Sequence, residues 1–284
     1  MSNEQNYNIK NSFNKEEWIK KKNKERDATY KKIDLSAKFA LEGGVVFKQY
    51  LDIQSKFTDY SVGNALLISL QMPETTIFKD KENWKKIGVN VKEGAKGFKI
   101  LEPSSPYIRK DGTKATYYNP KEMFDISQTD GKPSEKAKVY SEAELLKAFI
   151  TKCPVKVQAV DVLSDGTHGA EYNKEDDTLY ICRGIDSKIM FQSVLSELAR
   201  ISLEDKEQND VTDFECYCVS YMLCNKYGID NSNYKFEKLP EEIKSMDIPS
   251  FRKELDCIRS TMLDVNSRIK DNLEKHPKMK QYER

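Results

Sequence analysis

Histidine is almost missing from this sequence: its 284 residues hold two, His168 and His276. A metal-dependent or histidine-based catalyst therefore has little to build on, because imidazole is the commonest metal ligand and general base near neutral pH. A surplus of one charge sign is missing too, with 47 basic against 46 acidic side chains. That excludes a molecule basic over its whole surface, so any nucleic-acid surface has to be local. No apolar run approaches the roughly 18 residues that a membrane-crossing helix needs. The opening MSNEQNYNIK also lacks the apolar stretch of a secretory signal. A soluble, cytoplasmic chain without membrane partners is expected. Cysteine is present but unpaired in spacing: Cys153, Cys182, Cys216, Cys218, Cys224 and Cys257 all lie in the second half without a CxxC motif. They are expected to be reduced thiols and not a structural zinc site.

What is present suffices for a folded chain, with 38% apolar and 33% charged residues. Residues 14–42 carry sparse apolar positions at helical spacing (Trp18, Ile33, Leu35, Phe39), and Gly43-Gly44 ends that helix. Helices over 45–56 and 62–71 follow, the second capped by Asp59-Tyr60-Ser61 and ended by Met72-Pro73. From Thr75 the texture changes to short apolar stretches between glycines, with a strand at 98–101, a loop or hairpin at 104–114, and β character at 115–118 and 122–125. The stretch QTDGKPSEKAKV, 128–139, is the most linker-like. The expected organisation is α+β: a small helix and sheet domain over 1–130, then a zincin-like α+β domain over 131–284 with a C-terminal helix. Each is expected to have its own modest core. In the second part, a helix at 141–151 precedes strands at 155–160, 170–172 and 178–181 and helices at 187–203 and 211–227. A charged helix over 250–275 then presents Leu255, Ile258, Met262, Val265 and Ile269 as an apolar stripe suited to docking.

The order of strands, helix and acid-bearing helix is the layout of small zinc peptidases of the zincin kind. Their first helix carries HExxH, with two histidines on one helical face and a glutamate that activates the metal-bound water. Here the helix reads Phe191-Gln192-Ser193-Val194-Leu195-Ser196-Glu197-Leu198-Ala199-Arg200. Glu197 is kept, while Ser196 and Arg200 hold the ligand positions. Serine is a poor zinc ligand and an always-charged arginine repels a cation. His168, in the turn DGTHGAEY, and His276, in the polar tail, do not rebuild the pair. The reading favoured is a structural ion pair of Arg200 with an acid of the next helix, in the metal's place. Two alternatives stand beside it. One is a metallopeptidase with unusual ligands drawn from Glu197, Asp213, Glu215, Cys216 and Cys218; the other is an interaction module whose terminal helix takes a protein partner. Cys216 and Cys224 share a helical face that Cys218 does not. With no histidine on that helix to activate a thiol, they are expected to be buried apolar groups.

Residues 76–115 carry ten basic side chains, Lys110 among them, against five acidic ones. Lysines on a small sheet can follow phosphates, and Tyr60, Trp84, Phe98, Tyr107, Tyr117 and Tyr118 offer rings for stacking unpaired bases. The competing reading makes Trp84 and Phe98 core residues and the lysines a solvated face.

The run Phe57-Thr58-Asp59-Tyr60-Ser61-Val62-Gly63-Asn64-Ala65-Leu66-Leu67-Ile68, the segment Gln71-Met72-Pro73, and Trp84-Lys85-Lys86-Ile87-Gly88-Val89-Asn90-Val91-Lys92-Glu93-Gly94-Ala95-Lys96-Gly97 resemble the N-terminal domain of ArdC-type antirestriction proteins. Met123-Phe124-Asp125-Ile126-Ser127-Gln128-Thr129 resembles the segment that closes that domain, and the likeness extends over about 35–235. The resemblance implies a first domain that binds single-stranded DNA and belongs to conjugative plasmids or transposons, where it protects incoming DNA from restriction. It implies a second domain related to the ImmA/IrrE zincins, from which this chain departs at Ser196 and Arg200. The expected nucleic-acid-binding set is Tyr60, Asn64, Trp84, Lys85, Lys86, Lys92, Lys96 and Lys99. No cofactor, no metal and no catalytic residue is expected.

Overall fold

The computed structural model describes residues 15–109, 111–132, 138–164, 168–204 and 212–274. The opening MSNEQNYNIK, Lys110, His276 and the middle of the linker-like stretch, 133–137, lie outside the described residues. In chain order the elements are α1 (Lys15–Glu42), α2 (Gly44–Lys56), α3 (Val62–Gln71), β1 (Phe78–Lys79), α4 (Lys81–Lys86), β2 (Phe98–Ile108), β3 (Lys114–Asp125), α5 (Glu142–Ile150), β4 (Lys156–Val160), β5 (Ala170–Asn173), β6 (Thr178–Cys182), α6 (Ser187–Glu204), α7 (Asp213–Tyr227), α8 (Glu241–Lys244) and α9 (Ile248–Glu274). The fold is α+β.

Helix α1 buries Ile33, Ala37 and Ala40, spaced i, i+4 and i+7, whereas Trp18, Leu35 and Phe39 stay 40–49% exposed. Of the four sparse apolar positions noted in the sequence, only Ile33 enters the core. The small side chains of the stripe let α1 approach α3 closely enough for Ser36 Oγ to donate to the Leu66 carbonyl at 2.7 Å. Ser61 caps α3 as expected, its side chain accepting from the Asn64 N–H. At Gly44 a Cβ would lie 1.5 Å from the Phe236 carbonyl oxygen, so the start of α2 is sealed against the later segment.

The first sheet has the antiparallel order β1-β3-β2. Its main feature is one long hairpin, paired from Phe98↔Met123 to Ile108↔Lys114. The loop expected over 104–114 is therefore shorter, and the two separate β segments over 115–125 form one strand. Pro103 and Pro106 lack ladder donors, and the pairing accommodates them by a register shift between the two on an edge strand, where proline is tolerated. The free edge of β2 is covered by α3. Asn64 donates to the Leu101 carbonyl at 2.9 Å and accepts its N–H at 2.8 Å. Two turns on, Gln71 donates to the Lys99 carbonyl at 2.9 Å and accepts its N–H at 3.2 Å. Two side-chain amides thus stand in for a neighbouring strand.

The second sheet has the order β4-β6-β5, with β4 parallel and β5 antiparallel to β6. Helices α6 and α7 pack on each other, and Gly228, at φ 69°, closes α7 in the left-handed conformation. In place of two separate cores, one buried apolar cluster runs from Ile33 to Leu273. Trp84, Phe124 and Ile126 form a small second one. Helix α9 accounts for the continuity: its stripe Leu255, Ile258, Met262, Val265 and Ile269 is buried against α1, α3, α5, α6 and α7 of its own chain. The stripe expected to dock does so within its own chain, which leaves that face occupied.

Candidate nucleic-acid interface and the cleft around Arg200

In the hairpin β2–β3 Tyr107 pairs with Ala115, which sets Tyr117 diagonally across from it on the same face. Their rings stack with centroids 4.2 Å apart and planes 7° apart. The Arg26 guanidinium of α1 lies over Tyr117, 5.1 Å from the ring centroid. The tyrosines share a hydroxyl hydrogen bond, and Arg109 hydrogen-bonds Tyr107; both contacts hold the Tyr107 phenol below its ordinary pKa. Lys22 donates to Glu25 at 3.2 Å and holds that carboxylate below its ordinary pKa, with smaller contributions from the charges of Lys99 and Lys21. The result is an aromatic pair, Tyr117 exposed and Tyr107 half-buried, flanked by cations from α1 and from the hairpin tip.

The residues expected to bind nucleic acid separate into two groups. Lys85, Lys86, Lys92 and Lys96 are exposed, on α4 and the loop that follows it. Lys86 donates to Asn83 Oδ1 at 3.1 Å and Lys92 to the Ser127 carbonyl at 3.0 Å. Lys99 is half-buried beside α1. The other three are corrected as direct contacts. Trp84 is 2% exposed and donates its indole N–H to the Phe124 carbonyl at 2.8 Å, so neither ring face is open to a base. Asn64 spends both ends of its amide on Leu101. Tyr60 is half-buried, its ring packed on Phe78 with centroids 5.3 Å apart and its carbonyl taken by Arg259 at 2.8 Å. Phe98 is core as well. Arg26, Lys21 and Lys22 were not expected. Their signal was the i, i+4, i+8 spacing of Lys22, Arg26 and Tyr30, which gives α1 a face of cations and one ring.

The second cleft, about 680 Å³, is lined by His168, Glu171, Ser196, Glu197, Arg200 and Asp213 among others. His168 thus lines the same cleft as the three positions of the degenerate motif. Arg200 bridges two carboxylates: its Nε lies 3.3 Å from Glu197 Oε2 and its terminal nitrogen 2.6 Å from Asp213 Oδ1. Glu197 also accepts the Tyr172 N–H at 3.3 Å. Burial raises the Glu197 pKa and outweighs the opposing pull of Arg200. On α7, Cys216, Cys218 and Cys224 are all fully buried, so the face distinction drawn from spacing disappears. Desolvation pushes Cys216 and Cys224 up to about 12 and Cys218 well above its ordinary value, which keeps them as thiols. Among the described residues, no three histidine, cysteine or acidic side chains are grouped so as to hold a metal.

Comparison with known proteins adds three findings. Residues 41–150 match the family model of the N-terminal domain of anti-restriction factor ArdC. A crystal structure of the antirestriction ArdC protein from plasmid R388, in its Mn(II)-bound form, shares the fold with a TM-score of 0.52 at 14% identity, covering 77% of this chain and 86% of that one. An uncharacterized Bacillus anthracis protein, pXO2-81, is 24% identical over 250 residues, 68% of this chain and 42% of its own length. The chain therefore spans less than half the length of that relative.

Proposed function

Starting from the premise that the chain is of the ArdC type, by its residues 41–150 and by its fold, we propose that it is a single-stranded DNA-binding antirestriction protein of a mobile element. Its 131–284 part is a peptidase-like module without catalysis. The observation that carries the DNA reading is the Tyr107–Tyr117 stack, with Tyr117 exposed, Tyr107 half-buried and Arg26 over Tyr117. A partly exposed ring pair with guanidinium and ammonium groups around it matches an unpaired base and its phosphate, whereas a duplex keeps its base faces inside. Lys85, Lys86, Lys92 and Lys96 extend the electrostatic path beyond that stack.

For the second half, the donor set argues against the metal that the ArdC fold implies. A guanidinium held between Glu197 and Asp213 places positive charge where a cation would sit. Ser196 and Arg200 supply no ligand, so no metal-dependent step is assigned. A protein partner of this half, if bound, has to use a surface other than the buried stripe of α9.

Fluorescence anisotropy with a labelled oligothymidylate tests the DNA reading. Replacing Tyr117 with Ala, or Arg26 with Ala, is expected to weaken binding by about 5- to 100-fold, since a stacked base contributes about 1–3 kcal/mol. Affinity unchanged in both variants would refute the assignment.

A further inference from the structure

A second aromatic and cationic site lies one helical turn along α1 from Arg26. It is a cleft of about 510 Å³ between α1, the start of α3, the hairpin and α9, within the span of about 300–1,000 Å³ typical of small-ligand pockets. Ile33 and Leu101 contribute buried apolar surface to its lining. Tyr30 and Tyr118, 39% and 45% exposed, add two rings. Arg252 and Lys253 of α9 add two cations.

We propose that this cleft is a nucleotide subsite, taking one base against the tyrosines and its phosphate toward Lys253, so that α9 is part of the nucleic-acid interface. The inference rests on the DNA-binding reading and extends it to a region that the matched segment, 41–150, does not contain. Charge accounting supports it. Arg252 is paired with Asp34 at 3.1 Å and Asp256 with Arg259 at 3.8 Å. Lys253 is exposed and makes no ion pair among the described residues, so its charge is left for a ligand. Continuity supports it as well. Arg26 and Tyr30 are i and i+4 on α1, with side chains about 5–6 Å apart along the helix. Tyr117 and Tyr118 are successive residues of β3 and face opposite sides of the hairpin. Arg26 and Tyr30, neighbours on one face of α1, thus link the cation over Tyr117 to the cleft, which Tyr118 enters from the other face of the hairpin. An apolar lining with rings and a single unpaired cation suits the amphipathic shape of a nucleotide.

The test uses the full chain and an oligothymidylate carrying 5-iododeoxyuridine. Photo-crosslinks are expected on Tyr30 or Tyr118. Tyr118→Ala is expected to weaken binding about 5- to 100-fold, while Tyr118→Phe, which keeps the ring, stays close to wild type. Lys253→Glu is expected to weaken binding and to lower the dependence on log salt by about one unit. Both positions are exposed, and a thermal melt verifies that each variant is folded. If the wild type binds but Tyr118→Ala and Lys253→Glu bind as well as it does, with crosslinks elsewhere, the subsite is wrong and the DNA reading stands. If the wild type does not bind single-stranded DNA, both fall.

Discussion

At the scale of single residues, Arg200 shows how much one substitution in a motif can convey. Its always-charged side chain at a ligand position already implied an ion pair with an acid of the next helix, and Asp213 is that acid. What spacing could not supply was the weight of the two contacts. The Asp213 side chain is 93% exposed, so that arm contributes little through a solvated pair. The Glu197 side chain is 17% exposed, and its carboxylate depends on the guanidinium. Replacing Arg200 with Met is therefore expected to destabilise the fold by about 1–3 kcal/mol, the cost of a buried carboxylate left without its partner. The loss should shrink as pH is lowered and Glu197 takes up a proton. Urea denaturation at two pH values measures it; a variant as stable as wild type at neutral pH contradicts the account. Trp84 teaches the reverse lesson. Lys85 and Lys86 beside it favoured an interface over the competing core reading, and that local pattern did not show that α4 points the indole inward toward Phe124.

At the scale of elements, helices were legible because their caps and stops are written in single residues: Ser61 caps α3 as expected, and Ser141 and Gly228 cap helices at the ends of the expected ranges 141–151 and 211–227. The hairpin was less so, since Pro103 and Pro106 look like loop residues until the edge position of β2 is known. The clamp of Asn64 and Gln71 on that edge depends on two elements meeting, which no one-dimensional pattern records. The packing of α7 on α9 has the same character. Glu215 closes the capping box of α7 with Thr212 while buried, and Glu254 of α9 hydrogen-bonds to it. Cys257 also donates toward Glu215 at 3.6 Å. Burial and then the charge of Glu215 raise the Glu254 pKa from an ordinary 4.5 to about 7. Between those values the folded chain holds a proton that the unfolded chain has released. Stability from this pair is thus complete below pH 4.5 and is lost as pH rises toward about 7. Carboxylates held below their ordinary values, such as Asp80 and Asp125, act in the opposite direction and in a more acidic window. Melting curves of wild type and Glu254→Gln, which keeps a donor but does not titrate, should converge as pH falls and separate in favour of Glu254→Gln as pH rises. Parallel pH dependences would count against the shared proton.

At the scale of the whole molecule, the composition directed attention away from global charge and toward a local surface, and the shape of the surface proposed here comes from tertiary contact. Lysines dense in sequence are spread over α4 and its loop. The ring-bearing site draws instead on α1 and the hairpin, and the neighbouring cleft on α9 at the other end of the chain. One core under all of these parts, with Tyr221 and Asn225 of α7 hydrogen-bonded to Asp52 and Ser55 of α2, fixes them relative to one another. The division at 130/131 stays a proposal about ancestry and role, since the buried cluster crosses it. The central claim is that this assembled surface takes unpaired DNA. Titrating the full chain against single- and double-stranded oligonucleotides of one sequence, at two salt concentrations, tests it most directly. The account predicts single-strand binding of about micromolar affinity or tighter that weakens steeply with salt, and clearly weaker duplex binding. Equal affinity for the two forms, or no binding to either, would contradict it.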